Sequence, residues 1–229
     1  MNKLILLLAL IILISAYSTD PPYQVKKGDL NKDVELVTSK GTMIIRLSDS
    51  TPKHRDNFIK LVNQHFYDGL LFHRVMNQFM IQTGDPKSKT AKPGEALGQG
   101  SPGYTIPAEM RPYLFHKKGA LAAARTPDEI NPTRESNGSQ FYPVQGRVYD
   151  DADLNHVESR GNGYKIPAAH REVYKTVGGS PSIDQKYTIF GEVIKGVEVI
   201  DSIAAVATGE RNRPLEDVKI IKASLIKRQ

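Results

Sequence analysis

The sequence of 229 residues contains no cysteine and no tryptophan. Without cysteine there are no disulfide bonds, thiolate metal sites, cysteine nucleophiles or lipid-carrying lipoprotein anchor. The absence of cysteine also suits an oxidising compartment, although it does not identify one. Without tryptophan no indole N–H is available as a hydrogen-bond donor in a binding site.

Clustered positive charge and metal-ligand spacing are lacking as well. The net charge is +6, but the lysines and arginines are scattered along the chain. This pattern predicts a solvated basic surface and no nucleic-acid partner. The six histidines show no His-x-x-x-His spacing, so no metal site and no cofactor is predicted. The stretch 94–103 lacks the lysine and strand-to-helix context of a phosphate loop and is interpreted as a surface loop.

The N-terminal residues differ from the rest of the chain. Lys3 precedes an apolar run over 4–14, and small residues follow at Ala16 and Ser18, which predicts a signal peptide over 1–18. The run is shorter than the roughly 20 residues that span a bilayer. We therefore expect an exported protein, most simply periplasmic. The alternative is retention at the inner membrane by an uncleaved segment. Residues 19–32, with Pro21 and Pro22, are predicted to be a linker.

The remaining residues, 33–229, have the length and the apolar content of one domain. Apolar periodicity predicts helices over 52–63 and 197–205. Many short strands with two helices indicate a closed β-barrel capped by helices. The predicted strands are 34–39, 42–47, 71–75, 79–83, 120–124, 140–144, 188–194 and 218–226.

The segment 71–83 carries the most information about chemistry. It is predicted to form a hairpin that turns at Asn77 and Gln78. Side chains alternate along a strand, so Phe72 and Arg74 should share one face and His73 should pack on the other. An arginine between apolar neighbours needs a partner, which is either a structural ion pair or a ligand. The side chains that follow, which could form an apolar cup beside this cation, are Phe79, Met80 and Gln82.

Three motifs in order along the chain resemble the cyclophilins, the cyclosporin-binding class of peptidyl-prolyl cis-trans isomerases. Phe-His-Arg-Val at 72–75 precedes Phe-Met-Ile-Gln-Thr-Gly-Asp-Pro at 79–86. Ser-Asn-Gly-Ser-Gln-Phe-Tyr follows at 136–142, and Asp-Gln-Lys-Tyr-Thr-Ile-Phe-Gly-Glu-Val at 184–193. The resemblance implies a closed eight-stranded antiparallel β-barrel with a helix over each open end. It also implies rotation about Xaa-Pro bonds without a cofactor.

The resemblance implies a role for each matching side chain. Arg74 matches the catalytic arginine, and Gln82 matches the glutamine that positions it and contacts the substrate backbone. Proline-containing peptides and unfolded exported proteins would be the partners of a monomeric enzyme. The implied substrate-binding residues are Phe72, Phe79, Met80, Ala124, Arg125, Gln140, Tyr142, Ile183 and Tyr187.

Two departures from the family pattern bear on ligands. Tyr187 stands where many members carry a histidine, and its hydroxyl can still bond to a carbonyl. Ser182 stands where cyclosporin-sensitive members carry a tryptophan, so we expect weak cyclosporin binding.

The segment 143–181 is an insertion relative to the family, with predicted helical pieces at 151–159 and 168–177. Because it begins after Tyr142 and ends before Ile183, it is expected to lie at the substrate groove or to be a flexible surface elaboration. Its three tyrosines would offer flat contact surface to an unfolded client: Tyr149, Tyr164 and Tyr174.

Glu109, Asp128 and Glu135 lie in polar sequence and are interpreted as solvated charges. The alternative function is a proline-directed peptide-binding or chaperone module with little turnover. Intact Arg74 and Gln82 favour the enzyme, since binding alone would tolerate their loss.

Overall fold

A computed structural model describes residues 24–161 and 164–229, so the predicted signal peptide at 1–18 lies outside the described residues. Within them are ten strands and four α-helices. The strands are β1 (Lys32–Thr38), β2 (Gly41–Leu47), β3 (Arg74–Met76), β4 (Met80–Gln82), β5 (Thr105–Ile106), β6 (Ala120–Ala123), β7 (Ser136–Asn137), β8 (Phe141–Pro143), β9 (Ile189–Lys195) and β10 (Ile220–Lys227). The helices are α1 (Pro52–Asn63), α2 (Asp151–Arg160), α3 (Ala168–Thr176) and α4 (Val197–Ala204). No helix in the described ranges is both long and apolar enough to cross a membrane.

Six of the strands form one antiparallel sheet in the order β10-β1-β2-β9-β6-β8. The hairpin β3–β4 and the pair β5–β7 are separate two-stranded ladders. Isolated bridges join the hairpin region to both sheet edges, at Thr83 with Phe141 and at Leu71 with Lys219. The protein is therefore mainly β, and its largest sheet is an open half-barrel of six strands.

The main core lies between this sheet and the helices α1 and α4. Every second residue of β1 faces it, so that Val34 and Leu36 are 0% exposed, as period-two alternation requires. Phe58 of α1 packs edge-on against Phe141 of β8, with ring centroids 5.1 Å apart. Burying each such large apolar side chain stabilises the fold by about 2 kcal/mol.

The structure confirms the predicted helices and most of the predicted strands. The first hairpin, α1 and α4 lie within two residues of their expected bounds. The prediction that the Phe72 side chain shares a face with Arg74 is wrong. The Phe72 side chain is 1% exposed and belongs to the main core. The reason is that β3 begins only at Arg74, so strand alternation does not extend back to Phe72.

The insertion is folded and helical, as predicted, and α2 and α3 enclose a small apolar cluster of their own. Leu154, Ile166 and Tyr174 form its buried centre. Asp150 caps α2 by accepting a hydrogen bond from the Asp153 N–H, which satisfies one of the free donors of a helix start. Tyr174 is 0% exposed, so its predicted contact with unfolded clients is wrong.

The described part of the predicted linker lies against the domain. Val25 and Leu30 pack on the main core, and residues 27–31 form a 3-10 turn directly before β1. Asp29 accepts hydrogen bonds from Lys32 and Asn63. These contacts attach the chain before β1 to the C-terminal end of α1.

Glu109 was expected to be a solvated charge, and this was wrong. It is 6% exposed and accepts hydrogen bonds from the His54 ring at 2.7 Å and from the Lys53 and His54 backbone N–H groups. Burial works against the ionised carboxylate, but these donors outweigh it and lower the pKa of Glu109. Burial lowers the pKa of His54, whose second ring nitrogen lies 2.9 Å from Ser136 Oγ.

Replacing Glu109 with alanine should destabilise the fold by about 2 kcal/mol, because it leaves buried donors of α1 without an acceptor. Urea denaturation followed by circular dichroism measures the change in the free energy of unfolding. Glu129→Ala is the matched control, since Glu129 is exposed and should change stability by less than about 0.5 kcal/mol. Equal stability of the two variants would contradict the assigned role of Glu109.

Candidate active site

A cleft of about 880 Å³ opens beside the β3–β4 hairpin. Its apolar part lies over the ends of β4, β6 and β8, and its polar part lies between two loops at 94–99 and 209–215. Cleft residues from the strand region are His73, Arg74, Phe79, Met80, Gln82, Ala124, Arg125, Tyr142 and Tyr187.

The apolar floor is made by residues that the strand pattern brings to one face. Ala120, Ala122 and Ala124 alternate along the β6 segment and share a cluster with Met80 and Tyr142. Because alanine side chains are short, they leave space above this face of β6, and the larger side chains of the neighbouring strands fill it. Met80 is 1% exposed and Tyr142 is 4% exposed, so the floor is already packed.

Arg74 and Gln82 lie opposite each other in the register of β3 and β4. The Arg74 Nη1 atom donates to Gln82 Oε1 at 3.2 Å, and its Nη2 atom lies 3.1 Å from Met76 Sδ. Among the residues that the structure describes, no carboxylate forms an ion pair with Arg74. The structural ion pair that could have explained a half-buried arginine is therefore not found there.

Gln140 continues this hydrogen-bonded arrangement below the cleft. Gln82 Nε2 donates to Gln140 Oε1 at 2.9 Å. Gln140 Nε2 in turn donates to the carbonyl oxygens of Gly98 and Gly100. Both ends of the Gln140 amide are thus used, and Gln140 is 3% exposed, so it orients Gln82 from behind.

The loop beside Arg74 is held from both sides of its backbone. Asp85 Oδ2 accepts hydrogen bonds from the N–H groups of Gly98 and Gly100, whose carbonyls bond to Gln140. A Cβ on Gly100 would lie 1.8 Å from Asp85 Oδ1, so this close approach requires glycine.

His73 lies in the wall of the cleft although it is only 4% exposed. Neither ring nitrogen has a hydrogen-bond partner among the described residues. Burial lowers the pKa of His73 from 6.5 to about 4. The ring is therefore neutral at physiological pH.

The far end of the cleft is aromatic and basic. The Arg125 guanidinium carbon lies 4.7 Å from the centroid of the Tyr187 ring, within cation–π distance. Asp128 pairs with Arg125 at 2.6 Å and with Arg134 at 2.7 Å. These pairs fix Arg125 over Tyr187.

The structure brings most, but not all, of the predicted site residues to this cleft. Phe72 is a core residue and does not line it. Gln140 lies behind Gln82, and Ile183 packs against the same apolar cluster without reaching the cleft lining.

Sequence reasoning missed the two loops that wall the polar half of the cleft. Arg213 connects them: its Nη1 donates to the Glu95 carbonyl, and its Nη2 pairs with Asp217 at 3.3 Å. Arg211 and Asn212 adopt positive φ of 57° and 59°. Neither loop has apolar periodicity, and the connection joins positions 118 residues apart, so no local pattern indicates it.

No group of three or more His, Asp or Glu side chains in the described ranges is arranged to hold a metal ion. The chemistry that this cleft offers is an apolar floor, a half-buried cation held by an amide, and hydrogen-bonding groups on its rim.

Comparison with known proteins identifies relatives of the whole domain. The family model for the cyclophilin type peptidyl-prolyl cis-trans isomerases (CLD) matches residues 33–225. A relative from Staphylococcus haemolyticus is 35% identical over 199 residues, covering 83% of this chain and 93% of the relative. A Staphylococcus aureus relative is 34% identical, covering 86% and 92%. Both carry the name of a peptidyl-prolyl cis-trans isomerase.

Solved structures share the fold. The crystal structure of a cyclophilin type peptidyl-prolyl cis-trans isomerase from Cryptosporidium parvum superposes with a TM-score of 0.61 at 22% identity. The match covers 85% of this chain and 97% of that one. A second structure of that protein was determined in the presence of the dipeptide Ala-Pro and has a TM-score of 0.60.

Stability should fall as the pH drops from about 6.5 towards 4, partly through His73. A folded-state pKa of about 4 against 6.5 unfolded means that the unfolded state binds the proton first. The contribution of the neutral His73 ring to the free energy of unfolding is fully present above pH 6.5 and is lost on acidification towards pH 4. It amounts to about 3 kcal/mol. Urea denaturation at both pH values should show a smaller loss for His73→Asn than for the wild type.

His156→Gln is the control for this comparison, because His156 is exposed on α2. Its acid sensitivity should equal that of the wild type. An equally large loss of stability in His73→Asn would show that His73 does not titrate as a buried neutral ring.

Proposed function

The chain belongs to the cyclophilin-type peptidyl-prolyl cis-trans isomerases, and we propose that it catalyses rotation about Xaa-Pro bonds in the cleft around Arg74. The observation that carries this assignment is a guanidinium over an apolar floor, held by Gln82 and without a carboxylate partner among the described residues. Its charge is available to a ligand.

The reaction needs only a few features from its site. The Xaa-Pro bond rotates slowly, with a barrier of roughly 18–20 kcal/mol, because its C–N bond has partial double-bond character. In the transition state the amide is twisted and the nitrogen lone pair is localised. A slot for the proline ring and a donor near the prolyl nitrogen stabilise that state. An acceleration of about 10⁵-fold corresponds to about 7 kcal/mol of differential stabilisation.

Arg74 is the donor in this proposal. The hydrogen bond to Gln82 at 3.2 Å fixes one side of its guanidinium, which leaves the other N–H groups to donate to the twisted peptide. Such a charge-assisted bond is strongest when water is excluded. Gln140 holds Gln82 at 2.9 Å, so the donor is oriented before the substrate arrives.

The remaining cleft residues bind the substrate in this proposal. The proline ring lies on Phe79, Met80 and Tyr142, which form the apolar floor. The main chain at Ala124 and Arg125 pairs with the residue before proline. Tyr187 closes the end of the slot, and its ring packs at 83° to Tyr142 with centroids 5.9 Å apart.

In this proposal the two strands of the β3–β4 hairpin fill the gap between the edges of the six-stranded half-barrel and so complete the closed eight-stranded barrel of the family. Support comes from paired backbone hydrogen bonds between Thr83 and Phe141, at 3.0 and 3.2 Å, and from the Phe72 N–H to the Val218 carbonyl at 2.9 Å. Amide hydrogen exchange tests this closure. Protection of the Thr83 and Phe72 amides equal to that of the β1 amides supports it, and fast exchange contradicts it.

The clients in this proposal are unfolded exported proteins, and the enzyme acts as a monomer in the periplasm. The signal-like pattern at 1–18 is the basis for export. Cell fractionation and the mass of the mature N-terminus test it: a periplasmic form beginning near residue 19 supports the proposal. A full-length form in the membrane fraction would favour retention at the inner membrane.

Arg74→Ala should lower kcat/KM for an Ala-Pro tetrapeptide by about 100-fold or more, because the donor to the twisted amide is lost. A protease-coupled assay measures turnover. Arg74→Lys should recover little activity, since an ammonium group lacks the planar fork that Gln82 orients.

Arg160→Ala is the control, because Arg160 is exposed at the end of α2 and does not line the cleft. It should retain wild-type turnover. Full activity of Arg74→Ala would exclude the proposed site, whereas retained peptide binding with lost turnover would place the role of Arg74 in rotation.

Cyclosporin should inhibit at least about tenfold more weakly than it inhibits a family member with a tryptophan at this position, because aromatic anchors often dominate the binding energy of such interfaces. Ser182 is exposed in a 3-10 turn, and Lys186 Nζ donates to its carbonyl at 2.9 Å. A serine there offers neither the area nor the N–H donor of an indole.

Inhibition titrations of the wild type and of Ser182→Trp test this expectation. The tryptophan variant should bind cyclosporin more tightly, and Ser39→Trp, on the turn between β1 and β2, should not. Nanomolar inhibition of the wild type would show that Ser182 does not occupy the tryptophan position.

A further inference from the structure

Four buried side chains connect the insertion to the floor of the cleft. They are Tyr174 on α3, Asp184 after the insertion, His116 before β6, and Tyr142 on β8. All four are at most 4% exposed. We refer to these four residues as the Asp184 network.

Asp184 is the centre of the network and uses both carboxylate oxygens. Oδ2 accepts a hydrogen bond from the Tyr174 hydroxyl at 2.7 Å. Oδ1 accepts one from the His116 backbone N–H at 2.8 Å and lies 2.9 Å from His116 Nδ1. A carboxylate with this many donors is the arrangement that permits a buried charge.

These contacts assign the tautomer of His116. With Nδ1 facing a carboxylate, Nδ1 carries the proton, and in the neutral ring Nε2 is then an acceptor. The Tyr142 hydroxyl lies 3.4 Å from Nε2, a long hydrogen bond in which tyrosine donates. The two rings are nearly parallel, with planes 13° apart.

His116 also contacts the second aromatic ring of the cleft. The Tyr187 ring meets His116 edge-on at 84°, with centroids 6.3 Å apart, and meets Tyr142 at 83°. A shift of His116 would therefore be transmitted to both tyrosines that line the proline slot.

The C-terminal end of the insertion is attached to the Asp184 network, and its N-terminal end bonds to the backbone of the β3–β4 hairpin at Phe79. The Gly179 N–H donates to the Arg147 carbonyl, and the Ser180 N–H donates to the His116 carbonyl. A Cβ on Gly179, at φ +152°, would lie 2.2 Å from the His116 carbonyl oxygen and 2.7 Å from the Tyr174 ring. No described residue of the insertion lines the cleft. The insertion was expected to lie at the substrate groove, but it neither extends nor covers the cleft.

We propose that the insertion orients the floor of the proline slot from behind, through the Asp184 network, and that Tyr174 and His116 are positioning residues of this isomerase. Tyr174 holds Asp184, Asp184 holds the His116 ring, and His116 holds the hydroxyl of Tyr142. The inference rests on the proposed function, because it takes Tyr142 as the floor on which the proline ring lies.

A double-mutant cycle tests whether Tyr174 acts through Tyr142. Tyr174→Phe removes one hydroxyl and keeps the ring in its apolar cluster. It should lower kcat/KM for an Ala-Pro tetrapeptide by about fivefold, mainly through KM, since one hydrogen bond to a charged group is lost. In a Tyr142→Phe background the Tyr174→Phe change should lower kcat/KM by less than about twofold, because the hydrogen bond between His116 and the Tyr142 hydroxyl is already absent.

Tyr149→Phe is the matched control from the same insertion. The Tyr149 ring packs on the Arg147 guanidinium at 4.1 Å and edge-on against Tyr174, with centroids 6.2 Å apart. Its hydroxyl is not part of the Asp184 network, so removing that hydroxyl should leave kcat/KM unchanged. Asp184→Asn gives a second cycle with Tyr142→Phe, because an amide keeps the shape but offers one acceptor oxygen where the carboxylate offers two.

A measurement independent of catalysis accompanies the kinetics. In protein labelled with carbon-13 at the tyrosine ring, the Tyr142 signal is identified by its loss in Tyr142→Phe. Tyr174→Phe should shift this signal, and Tyr149→Phe should not. The shift reports the network even if turnover of Arg74→Ala shows that the proposed active site is wrong.

Two results would overturn the proposal. An equal loss of kcat/KM on Tyr174→Phe in both backgrounds would mean that Tyr174 only stabilises the fold. An unchanged kcat/KM together with an unmoved Tyr142 signal would mean that the network does not reach the floor of the slot.

Discussion

The hydrogen bond between Gln82 and Gln140, at 2.9 Å, is the contact on which the cleft depends. A side-chain amide has one donor end and one acceptor end. When two such amides are hydrogen-bonded to each other, the orientation of the first amide therefore determines the orientation of the second. The Gln140 side-chain N–H groups donate to two glycine carbonyls of the neighbouring loop, so its oxygen faces the Gln82 N–H group. The Gln82 oxygen is therefore directed towards Arg74. The guanidinium is held by neutral groups, which keeps its full charge for a ligand.

Local sequence pattern predicts the parts of this protein whose interactions are close along the chain. The first hairpin, α1 and the two insertion helices have periodic apolar positions or caps, and they lie where expected. The pairing of Arg74 with Gln82 follows from a short hairpin. Phe72 shows the limit of that reasoning, because alternation indicates a face only within the strand, and the strand begins two residues later.

What could not be predicted joins distant segments. Glu109 looks solvated in its own polar stretch, yet it accepts from His54 across 55 residues. Arg213 joins two cleft loops across 118 residues. Such contacts depend on how the sheet brings loops together, and a polar residue in a loop has no periodicity that reports its burial. The family resemblance placed Arg74 and the apolar floor, but it carries no information on an insertion.

The position of the insertion explains how so long a segment is compatible with the cleft. Lengthening a loop costs little free energy once its ends are fixed, because closure entropy grows only with the logarithm of length. Here the two ends of the insertion are joined by backbone hydrogen bonds between Arg147 and Gly179, and Ser180 bonds to the His116 carbonyl. Between these ends α2 and α3 bury an apolar cluster of their own. The mouth of the cleft is therefore left open to peptide. The insertion contributes instead one internal contact, the hydrogen bond from the Tyr174 hydroxyl to Asp184 Oδ2, an oxygen of a buried carboxylate that would otherwise lack a donor.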